Sequence, residues 1–169
     1  LRLVNTLLDI TEAESGVMQL SREQVELAAL LAEVRDLYEM VAEDRGITLR
    51  LDAPEALSVE ADRLRLRQVV ANLVDNAVKY CREDGLVTLS AREVGDEVEL
   101  AVSDTGAGLS DTERERVWDR MYRGPIQPDQ RGLGLGLSLV RAVVQAHNGE
   151  VEVESTPGQG SRFSVRLPR

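Results

Sequence analysis

The residues best suited to chemistry in this chain cluster in one stretch, Arg67-Gln-Val-Val-Ala-Asn-Leu-Val-Asp-Asn-Ala-Val-Lys-Tyr80. Placed on a helical wheel at about 100° per residue, Leu66, Val69, Val70, Leu73 and Ala77 share one side, which must face a core. Asn72, Asn76, Lys79 and Tyr80 fall beside it within an arc of about 100°. Amide oxygens coordinate hard cations. An ammonium holds phosphate as a point charge, and a phenol ring offers a flat apolar surface to a base. Together they are an inventory for a nucleotide with a metal. The competing reading of the same stripe is a solvated helix edge.

Two glycine boxes follow. Asp104-Thr-Gly-Ala-Gly108 leaves the end of an alternating, strand-like run. Gly106 and Gly108 permit a sharp turn and close approach of a ligand. The Asp104 carboxylate can only accept, as from an exocyclic amine such as that of adenine. A simple turn closed by the Asp side chain is the alternative. Gly132-Leu133-Gly134-Leu135-Gly136 opens a helix. Glycines before a helix N-terminus expose several N–H groups in one direction, where the dipole adds partial positive charge. That is a polyphosphate cradle, or else a run that only permits a turn. The spacing fits neither the dinucleotide fingerprint nor a P-loop.

The elements that must position these groups follow from periodicity. Leu1, Val4, Leu7 and Leu8 repeat at helical spacing up to Ser15-Gly16. So short a one-sided helix needs a partner that the chain does not obviously supply. Leu27, Leu30, Leu31, Val34, Leu37 and Val41 predict a second helix, with Gly46 suited to its C-terminal cap. Strand signals occupy Ile47–Leu51 and Leu57–Ala61, and Asp62 can cap the central helix. A hairpin pairs 86–94 with 97–103 across Gly95-Asp96. Ser110 or Asp111 caps a short helix reaching about Met121. Gly124–Arg131 has no periodicity and reads as a mobile loop. Leu135–His147 is helical with Asn148-Gly149 as its exit, and a last hairpin joins Val151–Ser155 to Phe163–Leu167. The expected fold is α+β: a two-layer sandwich of a mixed, mostly antiparallel sheet covered on one face by helices.

At 169 residues, with 43% hydrophobic and 30% charged residues, the chain fits an ordinary globular domain. Only 3% is aromatic, so the core must rest on Leu, Val and Ala. A net charge of −10 argues against nucleic acid or an anionic membrane as the main partner. It also requires that a polyphosphate be held by local donors, helped by a divalent cation. Cys81 stands alone and reads as a buried structural thiol. His147, the one histidine, reads as structural, at a helix C-terminus whose dipole favours it. No run approaches the roughly 18 apolar residues of a membrane span. The chain opens inside a helical pattern without Met, which suggests an excised piece of a longer protein.

In this order, N-x-x-x-N-A-x-K-Y, D-x-G-x-G and G-L-G-L-G-L-S-L-V resemble the ATP-binding domain of sensor histidine kinases, in the superfamily shared with gyrase and the mismatch-repair ATPases. The resemblance runs from residue 1 to Arg169. It implies that residues 1–20 are the end of the second dimerisation helix with its linker, and that 21–169 are the catalytic domain. It implies Asn76 as the Mg²⁺ ligand, Asn72 as a weaker member of the same shell, and Lys79 as a phosphate contact. Tyr80 would pack on the nucleoside. Asp104 would take the adenine amine, in a pocket shaped by Gly106 and Gly108. Gly132, Leu133, Gly134, Leu135 and Gly136 would line the phosphates, and Arg123 matches a family position that can reach them. The family's usual F-x-x-F pair is replaced by Trp118 and Met121, both apolar enough to anchor a lid.

The resemblance implies a protein-histidine kinase that binds ATP–Mg²⁺ and passes the γ-phosphoryl group to a histidine on an absent dimerisation helix, for relay to a response-regulator receiver domain. The parent would be a homodimer with this domain in the cytoplasm, its membrane anchoring left open. Two alternatives stand: an ATP-binding sensor or adaptor without transfer, and a gyrase-type hydrolytic ATPase. Asn72 stands where hydrolysing relatives carry a catalytic Glu, which favours transfer.

Overall fold

A computed structural model describes residues 1–124 and 133–169. Most of the expected loop 124–131, and Gly132, lie outside the described residues. The elements run α1 (Arg2–Glu14), β1 (Arg22–Glu26), α2 (Leu27–Glu43), β2 (Thr48–Asp52), β3 (Ser58–Asp62), α3 (Arg63–Tyr80), β4 (Leu86–Val94), β5 (Glu97–Asp104), α4 (Asp111–Arg116), α5 (Gly136–Ala146), β6 (Glu150–Thr156) and β7 (Gly160–Pro168). The main sheet has five strands in the order β2-β4-β5-β7-β6. The β2–β4 pair is parallel and the rest are antiparallel. Val87, Leu89, Val98, Leu100, Val102, Phe163, Val165 and Leu167 alternate onto the buried face and meet α2, α3 and α5. The expected sandwich is the one observed.

The opposite face of the sheet is ionic. Glu99, on the central strand β5, is only 1% exposed. It accepts from Arg92 at 2.8 Å and Arg162 at 2.6 Å, with Arg166 at 3.5 Å. Burial pushes its carboxyl up, but the Arg92 and Arg162 guanidinium groups outweigh it and hold the group below the usual carboxylate range.

Local chemistry set the helix ends as expected. Asp62 accepts from the Arg65 N–H at 3.0 Å, and Ser110 with Glu113 forms a full capping box on α4. Gly46, at φ +66°, closes α2, with Ile47 N–H bonded to Ala42 O at 2.8 Å. Three readings need correction. A short strand, β1, pairs antiparallel with β3 where none was expected. Its single buried residue, Val25, gives no alternation to read. The helix α4 stops at Arg116 rather than near Met121, because the chain tightens into turns and Met121 takes φ +57°. Finally, α1 does have a partner: Ile10 and Ala13 bury against α5, and Asp9 pairs with Arg65 at 2.9 Å. Its Leu1, Val4 and Leu8 remain exposed. Among the described residues no helix is long and apolar enough to cross a membrane.

His147 is structural. Its Nδ1–H donates to Val143 O at 2.8 Å, and its Nε2 accepts from the Asp62 N–H at 3.0 Å, which fixes the neutral tautomer. It thus ties the end of α5 to the start of α3. Burial lowers its pKa from the usual 6.5, outweighing the carbonyl at the helix end. Above 6.5 the ring is neutral in both folded and unfolded chains. As pH falls below that value the unfolded chain binds the proton first, so stability is lost until pH passes the folded pKa. Urea unfolding should therefore show a falling midpoint between about pH 7 and pH 5.5, and His147→Gln should flatten that slope while lowering the midpoint at pH 7 by about 1–3 kcal/mol of stability. An unchanged slope in the variant would contradict the assignment.

Candidate functional site

The predicted stripe of α3 is the buried one: Leu66, Val69, Val70, Leu73 and Ala77 are each 1% exposed. At its edge Asn72 and Asn76 are half-buried, and Lys79 and Tyr80 are exposed. The Asn72 amide nitrogen donates back to Gln68 O at 3.0 Å. Its oxygen is thereby left facing Gly136, at 3.3 Å from where a Cβ there would stand. Asn76, one turn further on, makes no side-chain hydrogen bond to another described residue. Lys79 Nζ is not free: it pairs with Asp75, one turn back, at 2.8 Å, and both side chains are well exposed. That i, i+4 pair is worth only a few tenths of a kcal/mol, so an incoming phosphate could displace it.

The loop after β5 wedges against the end of this helix. Gly106 N–H donates to Asp104 Oδ1 at 2.8 Å, so the expected local turn forms as well. A Cβ on Gly106 would stand 2.2 Å from the Tyr80 carbonyl oxygen. Gly108, at φ +71°, passes equally close to the Thr156 carbonyl in the β6–β7 hairpin. Asp104 is 8% exposed. Burial raises its carboxyl pKa, partly offset by the N–H groups of Gly106 and Ser161. A desolvated carboxylate with an acceptor site to spare is suited to taking an N–H from a ligand.

The second glycine box reaches α3 about two turns earlier, at Asn72 rather than Tyr80. Gly136 is the first residue of α5, and among the described residues no side chain caps that helix. Its first-turn N–H groups therefore remain donors beside Asn72. Gly134, at φ +70°, accepts from Met121 N–H at 2.9 Å, and a Cβ there would collide with Tyr122 O. Leu133 is exposed, whereas Leu135 is 5% exposed and packs into the core, so it can offer a ligand only its backbone. Arg123 is exposed, next to the undescribed segment. Of the two lid positions, Trp118 is anchored edge-on against Phe163, with centroids 5.7 Å apart. Met121 is 66% exposed.

Gly160 was missed as a shaping residue. A Cβ there would stand 1.9 Å from the Asp104 carbonyl oxygen, so only glycine lets β7 seat that strand end; the signal was the second glycine of Gly158-Gln-Gly160. Among the described residues no group of three or more His, Cys, Asp or Glu side chains could hold a metal. The donor set fits Mg²⁺ in another way, since that ion keeps few protein ligands and takes the rest from phosphate and water. A cleft of about 390 Å³ lies elsewhere, between α1, α5 and the lid residue Trp118, and touches none of the residues predicted to bind the nucleotide.

The model of the histidine kinase-, DNA gyrase B- and HSP90-like ATPases matches residues 61–169. The chain is 35% identical over 169 residues to the adaptive-response sensory kinase SasA of Crocosphaera subtropica, covering 99% of this chain and 44% of that protein. It is 39% identical over 171 residues to histidine protein kinase DivJ of Caulobacter vibrioides, covering 99% and 28%. The chain thus spans less than half the length of these curated relatives. Full-length ShkA, solved in complex with AMPPNP, superposes with a TM-score of 0.85 at 32% identity, over 99% of this chain and 35% of that one. The catalytic domain of histidine kinase ThkA gives 0.77 at 27% identity, over 88% and 96%. With the asparagine helix and the two glycine boxes packed as described, the chain belongs to the histidine kinase-, DNA gyrase B- and HSP90-like ATPase family, as a catalytic ATP-binding domain of the sensor histidine kinase type.

Proposed function

We propose that the domain binds ATP–Mg²⁺ between the edge of α3 and the two glycine boxes and donates the γ-phosphoryl group to a histidine outside this chain. The observation that carries the reading is the packing of both boxes on one helix: Gly106 on the Tyr80 carbonyl and Gly136 beside Asn72, with Asn76 between them in sequence. Asp104 would accept from the adenine amine and Tyr80 would cover the nucleoside. Gly106 and Gly108 would shape that end. Asn76, with Asn72 behind it, would supply amide oxygen to the cation, which when bound neutralises charge on the triphosphate. Lys79, Arg123 and the backbone N–H groups of Gly132–Gly136 would face the phosphates.

Phosphoryl transfer asks mainly for positioning and charge neutralisation. The one carboxylate on α3, Asp75, lies about 60° or more around the helix from Asn72 and Asn76, out of place for a base that would activate water. That supports transfer over hydrolysis. The solved complex of ThkA with its response regulator TrrA, 24% identical to this chain with a TM-score of 0.76, shows the fold alone in partnered form. We infer that the parent is a cytoplasmic-facing homodimer whose acceptor histidine lies on a dimerisation helix preceding α1, and whose phosphoryl group passes on to a receiver domain.

Asn76→Ala should weaken Mg²⁺-dependent nucleotide binding on the order of tenfold or more, about 1.4 kcal/mol, in a fluorescent-nucleotide titration, with the circular dichroism unchanged. Unaltered affinity would remove Asn76 from the site. Because burial raises the Asp104 pKa, its ionised form costs folding free energy at neutral pH. Asp104→Asn should accordingly keep or raise the melting temperature while lowering adenine-nucleotide affinity about tenfold and narrowing discrimination against guanine nucleotides. A drop in melting temperature with unchanged base preference would refute that role. Incubating the domain with labelled ATP–Mg²⁺ and a separate histidine-bearing dimerisation fragment tests the reaction. Label on histidine is expected; free phosphate alone would mean a hydrolase, and binding with neither would mean a sensor.

A further inference from the structure

We propose that Arg45 is a positioning residue for the nucleotide site, acting through the last turn of α3; this rests on the reading just given. The final carbonyls of a helix lack intrahelical donors, and such ends fray unless something else bonds them. Here α3 has no glycine cap: Cys81, its C-cap, is extended, at φ −67° and ψ 149°. Its N–H closes on Ala77 O at 2.8 Å. The Arg45 guanidinium, from the turn between α2 and β2, supplies the missing donors. One nitrogen donates to Val78 O and reaches Lys79 O at 3.2 Å, and the other donates to Cys81 O at 3.0 Å. A fixed fork of donors meets three carbonyls, and its charge complements the negative end of the helix dipole.

Arg45 is itself held. Its carbonyl accepts from Asp84 N–H at 3.3 Å, and Gly46 lets the Asp84 carboxylate approach to 2.3 Å from where a Cβ would stand. The turn that Arg45 grips carries Lys79 and Tyr80, and it places the Tyr80 carbonyl where Gly106 passes. Loosening it would move the phosphate-facing and base-facing groups together, although Arg45 touches no ligand.

Cys81 is the chain's single cysteine and is 3% exposed, so the rate at which a thiol reagent labels it reports opening of this turn. The comparison uses wild type, Arg45→Ala, Arg45→Lys and Val98→Ala, the last a core truncation at the end of β5 remote from Asp104. All measurements are made well below every melting temperature. Arg45→Ala should weaken ATP–Mg²⁺ binding about tenfold and speed Cys81 labelling several-fold, through lost pre-organisation. Arg45→Lys should recover part of both, because one ammonium cannot serve three carbonyls. Val98→Ala should lower the melting temperature yet leave both readouts at wild-type values. If Arg45→Ala does not fold, Arg45→Lys against Val98→Ala carries the same test. Wild-type binding and labelling in the Arg45 variants, or equal shifts in Val98→Ala, would overturn the inference. A wild-type chain that binds no nucleotide would overturn the site itself and this role with it.

Discussion

The candidate site depends on the approach of the loop after β5 to the carbonyl oxygen of Tyr80. A Cβ on Gly106 would sit 2.2 Å from that oxygen, and one on Gly160 would sit 1.9 Å from the Asp104 carbonyl. Backbone meets backbone at both points with no side chain between, so the strand end carrying Asp104 can take only one position against α3. The driving force comes from elsewhere. The stripe Leu66, Val69, Val70, Leu73 and Ala77 is buried against the sheet, at about 1.5–3 kcal/mol for each large side chain. Hydrophobic burial is not directional, and the glycine contacts decide which of many buried arrangements is the native one.

The helix α3 is also tied at both ends. At its start, Asp62 caps the first turn, accepts from Ser21 N–H at 2.9 Å and donates its own N–H to His147 at 3.0 Å. At its finish, Arg45 takes the last carbonyls. The residues that would hold a ligand therefore stand on an element whose register is fixed by polar contacts and whose orientation is fixed by apolar ones. Directional hydrogen bonds of this kind resist small displacements better than apolar contacts do, and a site tolerant of only about half an ångström needs that.

Charge is arranged in keeping with this. The chain carries a net charge of −10, yet several of its arginines are spent around Glu99 on the uncovered face of the sheet. Near the candidate site the positive potential comes from Lys79, already shared with Asp75, and from the uncapped start of α5. Anion binding there depends on oriented N–H groups and a counter-cation more than on net charge, since fixed dipoles act at short range and are little screened.

What the sequence alone determined is what local chemistry controls. The apolar period of α3, the Asp62 and Ser110 caps, the Gly95-Asp96 hairpin and the Asn148-Gly149 exit could all be read because each depends on residues within one or two turns of one another. The fold class followed from their order, and the order of three motifs carried the family. The tertiary structure decided what depends on distant neighbours. Strand β1 exists only because β3 offers it an edge, and α1 is covered in part only because α5 lies beside it. Lys79 turns to Asp75, Leu135 faces the core rather than the cleft, and Gly160 matters only because β7 crosses the Asp104 carbonyl. None of these leaves a periodic trace in the chain, because a contact between residues far apart in sequence constrains one position on each partner and imposes no repeat on either.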